Sequence, residues 1–83
     1  MKALNTERLR EELIKIYESY SRNPEDETAK TKARKIYSSF MNAMPLLDEN
    51  MRHAVNLLVA IGWQTGQKPS GEVILSVIKS LKH

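Results

Sequence analysis

From Ala54 to Trp63 the chain is apolar except where Asn56 interrupts it and Gly62 thins it. This run constrains the fold more than any other feature. On a 3.6-residue helix, Val55, Leu57, Leu58, Val59, Ala60, Ile61 and Trp63 reach nearly all the way round. A surface helix carries a single apolar stripe, whereas one that is apolar on most sides has to be covered on most sides. The run is about half the ~20 residues that cross a bilayer, so it predicts a central core helix and no membrane span. In an 83-residue chain the rest of the sequence must supply the cover.

That cover reads as three more helices. Leu9, Leu13, Ile16, Tyr17 and Tyr20 recur at i, i+4, i+7, i+8 and i+11 and define a first helix over 5–22, capped by Asn5 or Thr6. Asn23-Pro24 opens a second helix over 24–43. Asn23 suits the cap, Pro24 suits the first helical position, and Glu25, Asp26 and Glu27 suit the positive end of the helix dipole. Its apolar positions are Ala29, Ala33, Ile36, Tyr37, Phe40, Met41 and Met44. Met44-Pro45 interrupts the pattern, because a residue before proline is steered away from helical dihedrals. Pro45 or Asp48 starts the third helix, over 47–64, and Gly66 is the expected left-handed residue beyond its end. After the polar connector, Val73, Ile74, Val77, Ile78 and Leu81 predict a fourth helix over 70–82. Short connections make sequential helices antiparallel neighbours. The expected fold is all-α, a compact antiparallel four-helix bundle in one domain spanning 1–83.

Composition bounds the chemistry. Thirteen basic and ten acidic residues leave a net charge of +3, a mild excess for a dedicated nucleic-acid binder. Cysteine is absent, which removes disulfides, thiolate nucleophiles and cysteine-ligated metals. The polar opening Met1-Lys2-Ala3-Leu4-Asn5-Thr6-Glu7 has no apolar signal core, so a cytoplasmic location is expected.

No catalytic constellation is legible. His53 has Glu49 four residues before it and no further ligand, so it reads as a structural or surface histidine. Glu11-Glu12 sits on a solvated face and Glu25-Asp26-Glu27 in a first helical turn. Thr65-Gly66-Gln67-Lys68-Pro69-Ser70 lacks phosphate-loop spacing. Lys30, Lys32, Arg34 and Lys35 fan over roughly 200° of a helix, the pattern of a solvated face. Read as a helix-turn-helix, the third and fourth helices would present Ser70, Glu72, Ser76, Lys79, Ser80 and Lys82 to a groove, with no Arg, Asn or Gln among them. Trp63 either plugs the bundle end or anchors a partner. The reading is therefore binding without catalysis: no enzyme, cofactor, metal or small-molecule substrate. A helical protein–protein adaptor and a nucleic-acid-binding regulator stand as alternatives, and the protomer is expected as a monomer or weak homodimer.

Several segments in order carry a resemblance. Leu13-Ile14-Lys15-Ile16-Tyr17 is followed by Asn23-Pro24 with its acidic start. Then come Leu57-Leu58-Val59-Ala60-Ile61-Gly62-Trp63, a polar turn ending Gln67-Lys68-Pro69, and Val77-Ile78-Lys79-Ser80-Leu81. Over roughly Leu9 to Lys82 the chain resembles the immunity proteins of pediocin-like bacteriocins, the enterocin A immunity family. The resemblance implies a left-turning four-helix bundle that protects a producer cell, and so confers antimicrobial resistance. It also implies a binding partner, the bacteriocin-occupied membrane sugar permease, engaged from its cytoplasmic side by a protein that is peripheral there. Target discrimination in that family lies in the C-terminal half. The positions it implies here are Gln64, Gln67, Lys68, Lys79, Lys82 and His83, to which Trp63 is added as the interfacial anchor.

Overall fold

The first-turn amides of each helix need acceptors that the helix cannot supply, and the residues that supply them set the boundaries. In the computed structural model, which describes residues 5–82, Asn5 caps α1 (Thr6–Arg22), its side chain accepting from the Arg8 N–H at 3.0 Å. Asp26 caps α2 (Glu27–Phe40) by accepting from Thr28 N–H at 2.9 Å. Asp48 caps α3 (Glu49–Gly62) by accepting from Met51 N–H at 2.8 Å. Ser70 caps α4 (Gly71–Lys82), its hydroxyl accepting from Val73 N–H at 3.2 Å.

Two expected boundaries are corrected. Asn23 does not start α2. Its backbone is extended and its N–H closes α1 on the Ser19 carbonyl, while its side chain accepts from Glu25 N–H at 3.1 Å. Asp26 N–H then donates to the Asn23 carbonyl at 3.0 Å, making a tight turn with Pro24 at its second position. A proline suits that position as well as it suits a helix start, and the better-placed carboxylate of Asp26 wins the cap. Only Glu27 of the acidic trio remains in the first turn. The far end of α2 is also shorter than expected. The α-helix gives way at Phe40 to a 3₁₀ helix, Met41–Leu46, that contains Pro45. Proline lacks an N–H for the carbonyl four residues back and its ring collides with that carbonyl, which here belongs to Met41. The conformation therefore changes where the proline's influence begins, and not at the proline itself. Leu47 lies outside α3 yet is buried in the core.

The four helices form the expected antiparallel bundle. The α2–α3 and α1–α4 pairs pack most extensively, α1–α2 and α3–α4 complete the ring, α1 reaches α3 across it, and α2 and α4 do not meet. Leu9, Leu13, Ile16, Tyr17 and Tyr20 are all buried, as their spacing predicts. They meet Met51, Ala54, Val55, Leu58 and Ile61 of α3 and Ile74, Val77, Ile78 and Leu81 of α4. Val73, expected in that stripe, is exposed, because it lies about 40° beyond the Val77 edge of the arc that Ile74, Val77, Ile78 and Leu81 share. From α2 only Ala33 enters this core, with Ile36, Tyr37 and Phe40 half-covered at its edge. The apolar run on α3 is likewise covered unevenly. Leu57, Val59 and Ala60 are half-buried and Asn56 faces out.

The basic cluster on α2 is not a uniform solvated face. Lys30 keeps only 9% of its side chain exposed and lies 3.6 Å from Glu25 and 4.0 Å from Glu27. Arg34 reaches across to α3, donating from Nη1 to the Gly62 carbonyl at 2.7 Å and from Nη2 to Thr31 Oγ1 at 3.3 Å. A cation at the carbonyl end of α3 is favoured by the helix dipole. Lys32 and Lys35 alone stay fully outside. Among the described residues no helix is long and apolar enough to cross a membrane.

Candidate functional site

In an antiparallel four-helix array the first and third connections share one end of the bundle. Here those connections are the turn over 23–26 and the connector over 63–70. Lys68 Nζ of the connector lies 3.9 Å from Glu25 Oε1 of the turn, which ties the two together. Between them is a recess of about 290 Å³ lined by Tyr20, Ala60, Gln64, Gly66 and Lys68. A smaller one of about 140 Å³ continues past Lys68 to Ser21, Pro24, Pro69 and Ile74. Tyr20 and Lys68 border both.

Trp63 closes α3 and stands beside this corner, 44% exposed. Its indole meets the Tyr37 ring edge to face, with centroids 5.6 Å apart and planes at 77°. Such a contact fixes the ring while leaving much of it open. It is neither a buried plug nor a loose surface side chain. Gln64, the next residue, has φ +54°, and Gly66 has φ +72°. The left-handed residue that ends α3 is therefore Gln64, where Gly66 was expected. Beyond these two positive-φ residues, Lys68 comes back beside Tyr20, where both line the recess. Holding Gln64 at a positive φ costs about 1 kcal/mol, which glycine would not incur. Gln64→Gly is accordingly expected to stabilise the bundle by roughly 0.5–1 kcal/mol, seen as a higher urea midpoint with an unchanged slope.

The remaining candidate positions do not join this corner. Lys79 is exposed on α4. Lys82 donates to Glu18 Oε2 at 3.2 Å, so it is engaged by α1. It lies about 16 Å along α4 from the connector. Lys82 therefore belongs to a separate α1–α4 face, where Leu75 is exposed beside Ile78. His83 lies outside the described residues. This corner in turn brings in residues that the sequence pattern assigned elsewhere, Tyr20 in the lining and Glu25 through Lys68. Tyr20 was legible only as a core position, and Glu25 only as helix-dipole charge. The available signal was topological, since Pro24 and Pro69 punctuate the two connections that share an end.

The arrangement offers recognition groups and little for chemistry. Among the described residues no three His, Asp or Glu side chains come close enough to hold a metal ion. His53 lies in an open polar trough with Glu49, Asn50, Arg52 and Asn56, and forms neither a hydrogen bond nor an ion pair among the described residues. Two tyrosines are perturbed. Burial pushes the Tyr17 phenol far above its usual range, and its hydroxyl donates to the Ala54 carbonyl. Burial, and then the nearby Glu25 carboxylate, push Tyr20 upward as well. Both phenols therefore remain neutral donors near pH 7. No family model, curated protein or solved structure matches this chain.

Proposed function

We propose that this chain acts by binding a partner without catalysis, as an immunity protein of the pediocin-like bacteriocin type. In this reading it works on the cytoplasmic side of the membrane against the bacteriocin-occupied sugar permease. The observation that carries the proposal is Trp63, a half-exposed indole braced on Tyr37 and followed by the exposed polar side chains Gln64, Gln67 and Lys68. Pre-set aromatic side chains with polar neighbours are the residues on which binding surfaces concentrate their energy. The four-helix antiparallel order agrees with what the resemblance implies. A groove-reading helix-turn-helix is less well supported, because that motif joins its helices with about three or four residues and the connector here is longer.

The test is to express the chain in a sensitive bacterium and challenge it with a panel of pediocin-like peptides. Protection against one or two peptides is expected. Trp63→Ala is expected to lower that protection at least tenfold while the purified variant stays folded, since a hot-spot side chain contributes about 2 kcal/mol or more to binding. Lys79→Glu reports on the separate α4 face. Unchanged protection in both variants would remove these surfaces from the proposal. Failure against every peptide would shift the weight to an adaptor with another partner.

A further inference from the structure

Two stripes of the same spacing border the joint between α2 and α3. On α2, Lys30, Arg34 and Tyr37 lead to Met41, whose N–H still bonds to the Tyr37 carbonyl, at i, i+4, i+7 and i+11. On α3, Arg52, Asn56, Val59 and Trp63 repeat those intervals. The helices are antiparallel, so the stripes meet head to foot. Arg34 reaches the Gly62 carbonyl at 2.7 Å, and the Tyr37 and Trp63 rings meet at 5.6 Å between centroids. Trp63 is 44% exposed and Met41 50%, Tyr37 and Val59 are half-buried, and Asn56 and Arg52 face out. The result is an open apolar seam with an arginine towards each end. It has no carboxylate of its own. From Thr28 to Leu47 and from Asn50 to Gly71 the chain contains no Asp or Glu. Glu25 and Glu27 meet Lys30 where the α2 stripe begins, and Glu49 stands one turn before Arg52, yet neither arginine forms an ion pair among the described residues. Arg34 is half-buried and bonds to neutral groups, the Gly62 carbonyl and the Thr31 hydroxyl. A guanidinium has five donors in a fork that matches a carboxylate, so both arginines keep capacity for one.

We propose that this seam docks an acidic amphipathic helix of a protein partner, with apolar side chains resting on Trp63, Val59 and Met41 and carboxylates meeting Arg34 and Arg52. Arg34 lies level with Gly62, and α3 rises about 15 Å from Arg52 to Gly62. A partner helix spans that length in about three turns, with carboxylates at the two ends and apolar residues between them. A second copy of the chain does not supply this complement, because on the outer face of α1 the carboxylates Glu7, Glu11 and Glu18 are interspersed with Arg8, Lys15 and Arg22. A nucleic-acid strand fits less well. The Trp63 and Tyr37 planes stand at 77°, so they do not offer successive stacking platforms, and Val59 and Met41 offer none. The inference rests on the reading of Trp63 as a partner-binding residue and adds the chemistry of what Trp63 meets.

The test follows the emission of Trp63, the single tryptophan, as the full chain is titrated with an alanine-based helical peptide. The peptide carries two glutamates about three turns apart and two leucines between them on the same face. A saturable blue shift is expected. A peptide with lysines in place of the glutamates is expected to bind about tenfold more weakly, and added salt is expected to weaken the glutamate peptide. Arg52→Glu, at an exposed position, is expected to fold as the parent does and to lose about tenfold in affinity. Arg34→Gln is expected to lose as much, and Arg52→Glu decides the question should loss of the Gly62 bond unfold that variant. Equal binding of the lysine peptide, no saturable shift, tighter binding of oligothymidylate, or unchanged affinity in Arg52→Glu would overturn the proposal. So would self-association of the chain alone that Arg52→Glu abolishes, which would give the face to a second copy. The outcome is separable from the protection assay. Protection that Trp63→Ala removes, with no peptide bound, leaves the immunity reading standing and overturns this one, and peptide binding by a chain that protects no cell does the reverse.

Discussion

Replacing Tyr17 by alanine is expected to cost about 4 kcal/mol, the largest loss from any single substitution considered, while Tyr17→Phe is expected to cost about 1.5 kcal/mol. Tyr17 is fully buried at the point where α1 crosses to α3. Its ring fills the centre of the bundle, and its hydroxyl reaches the Ala54 carbonyl on the opposite helix. Truncation to alanine therefore leaves a cavity and removes that bond, whereas phenylalanine keeps the packing and removes only the bond. A folded domain of this size has roughly 4–12 kcal/mol to lose, so Tyr17→Ala leaves a marginal or unfolded protein at 37 °C. Urea denaturation of both variants checks the split. Equal losses would mean that the hydroxyl carries the whole effect, and no loss in Tyr17→Phe would mean that the bond contributes nothing net. The raised phenol adds a pH dependence of definite sign. Below the ordinary tyrosine value of about 10 both states keep the proton and the full stability is present. As pH rises beyond it the unfolded chain ionises while the native state does not, so stability falls in the alkaline range. Tyr17→Ala and Tyr17→Phe are both expected to flatten that decline.

Gly62→Val is expected to cost about 3 kcal/mol, although glycine is the poorest helix former after proline. A Cβ at position 62 would fall 2.8 Å from Arg34 Cγ and 3.2 Å from the Arg34 backbone nitrogen. The contact involves the stem of the arginine and its main chain, so a rotamer change does not relieve it. The α2 and α3 backbones would have to separate along the most extensive helix pair in the bundle. Separation would also break the 2.7 Å bond from Arg34 to the Gly62 carbonyl. Gly62→Ala sets the two effects against each other. Propensity favours alanine by about 1 kcal/mol, and overpacking opposes it by roughly 1–3 kcal/mol, so a net loss is expected and a smaller one than for valine. Thermal melts suffice as the measurement, since each 1 kcal/mol moves the midpoint by about 4–8 °C in a domain this small. A Gly62→Ala variant that melts above the parent would show that the helices yield more easily than their spacing implies.

Much of the architecture could be read from the order of residues along the chain. The five-residue stripe of α1 is buried without exception, and the number of helices and their antiparallel order follow from periodicity and connection length. These features were legible because they depend on spacing, and spacing is local. The errors at the helix ends have a common origin. Asn23, Asp26, Pro24 and Pro45 each suit more than one local structure. Which carboxylate or amide captures a cap depends on dihedral angles that composition leaves open. The chosen surface residues divide for a related reason. Trp63, Gln64 and Lys68 share an end of the bundle with Tyr20 and Glu25, whereas Lys79 and Lys82 lie along α4 on another face.

What periodicity could settle, therefore, was which side of each helix is apolar and how many helices there are, since both are properties of neighbouring residues. What it could not settle was which polar groups meet across the bundle. Tyr17 and Tyr20 have the same spacing, the same helix and the same burial, yet one hydroxyl finds the Ala54 carbonyl and the other finds a recess. Gly62 is a weak spot in an isolated helix, but beside Arg34 it is the residue that lets two backbones close. Hydrogen bonds act over about 3 Å between residues tens of positions apart, so their partners exist only once the helices have packed.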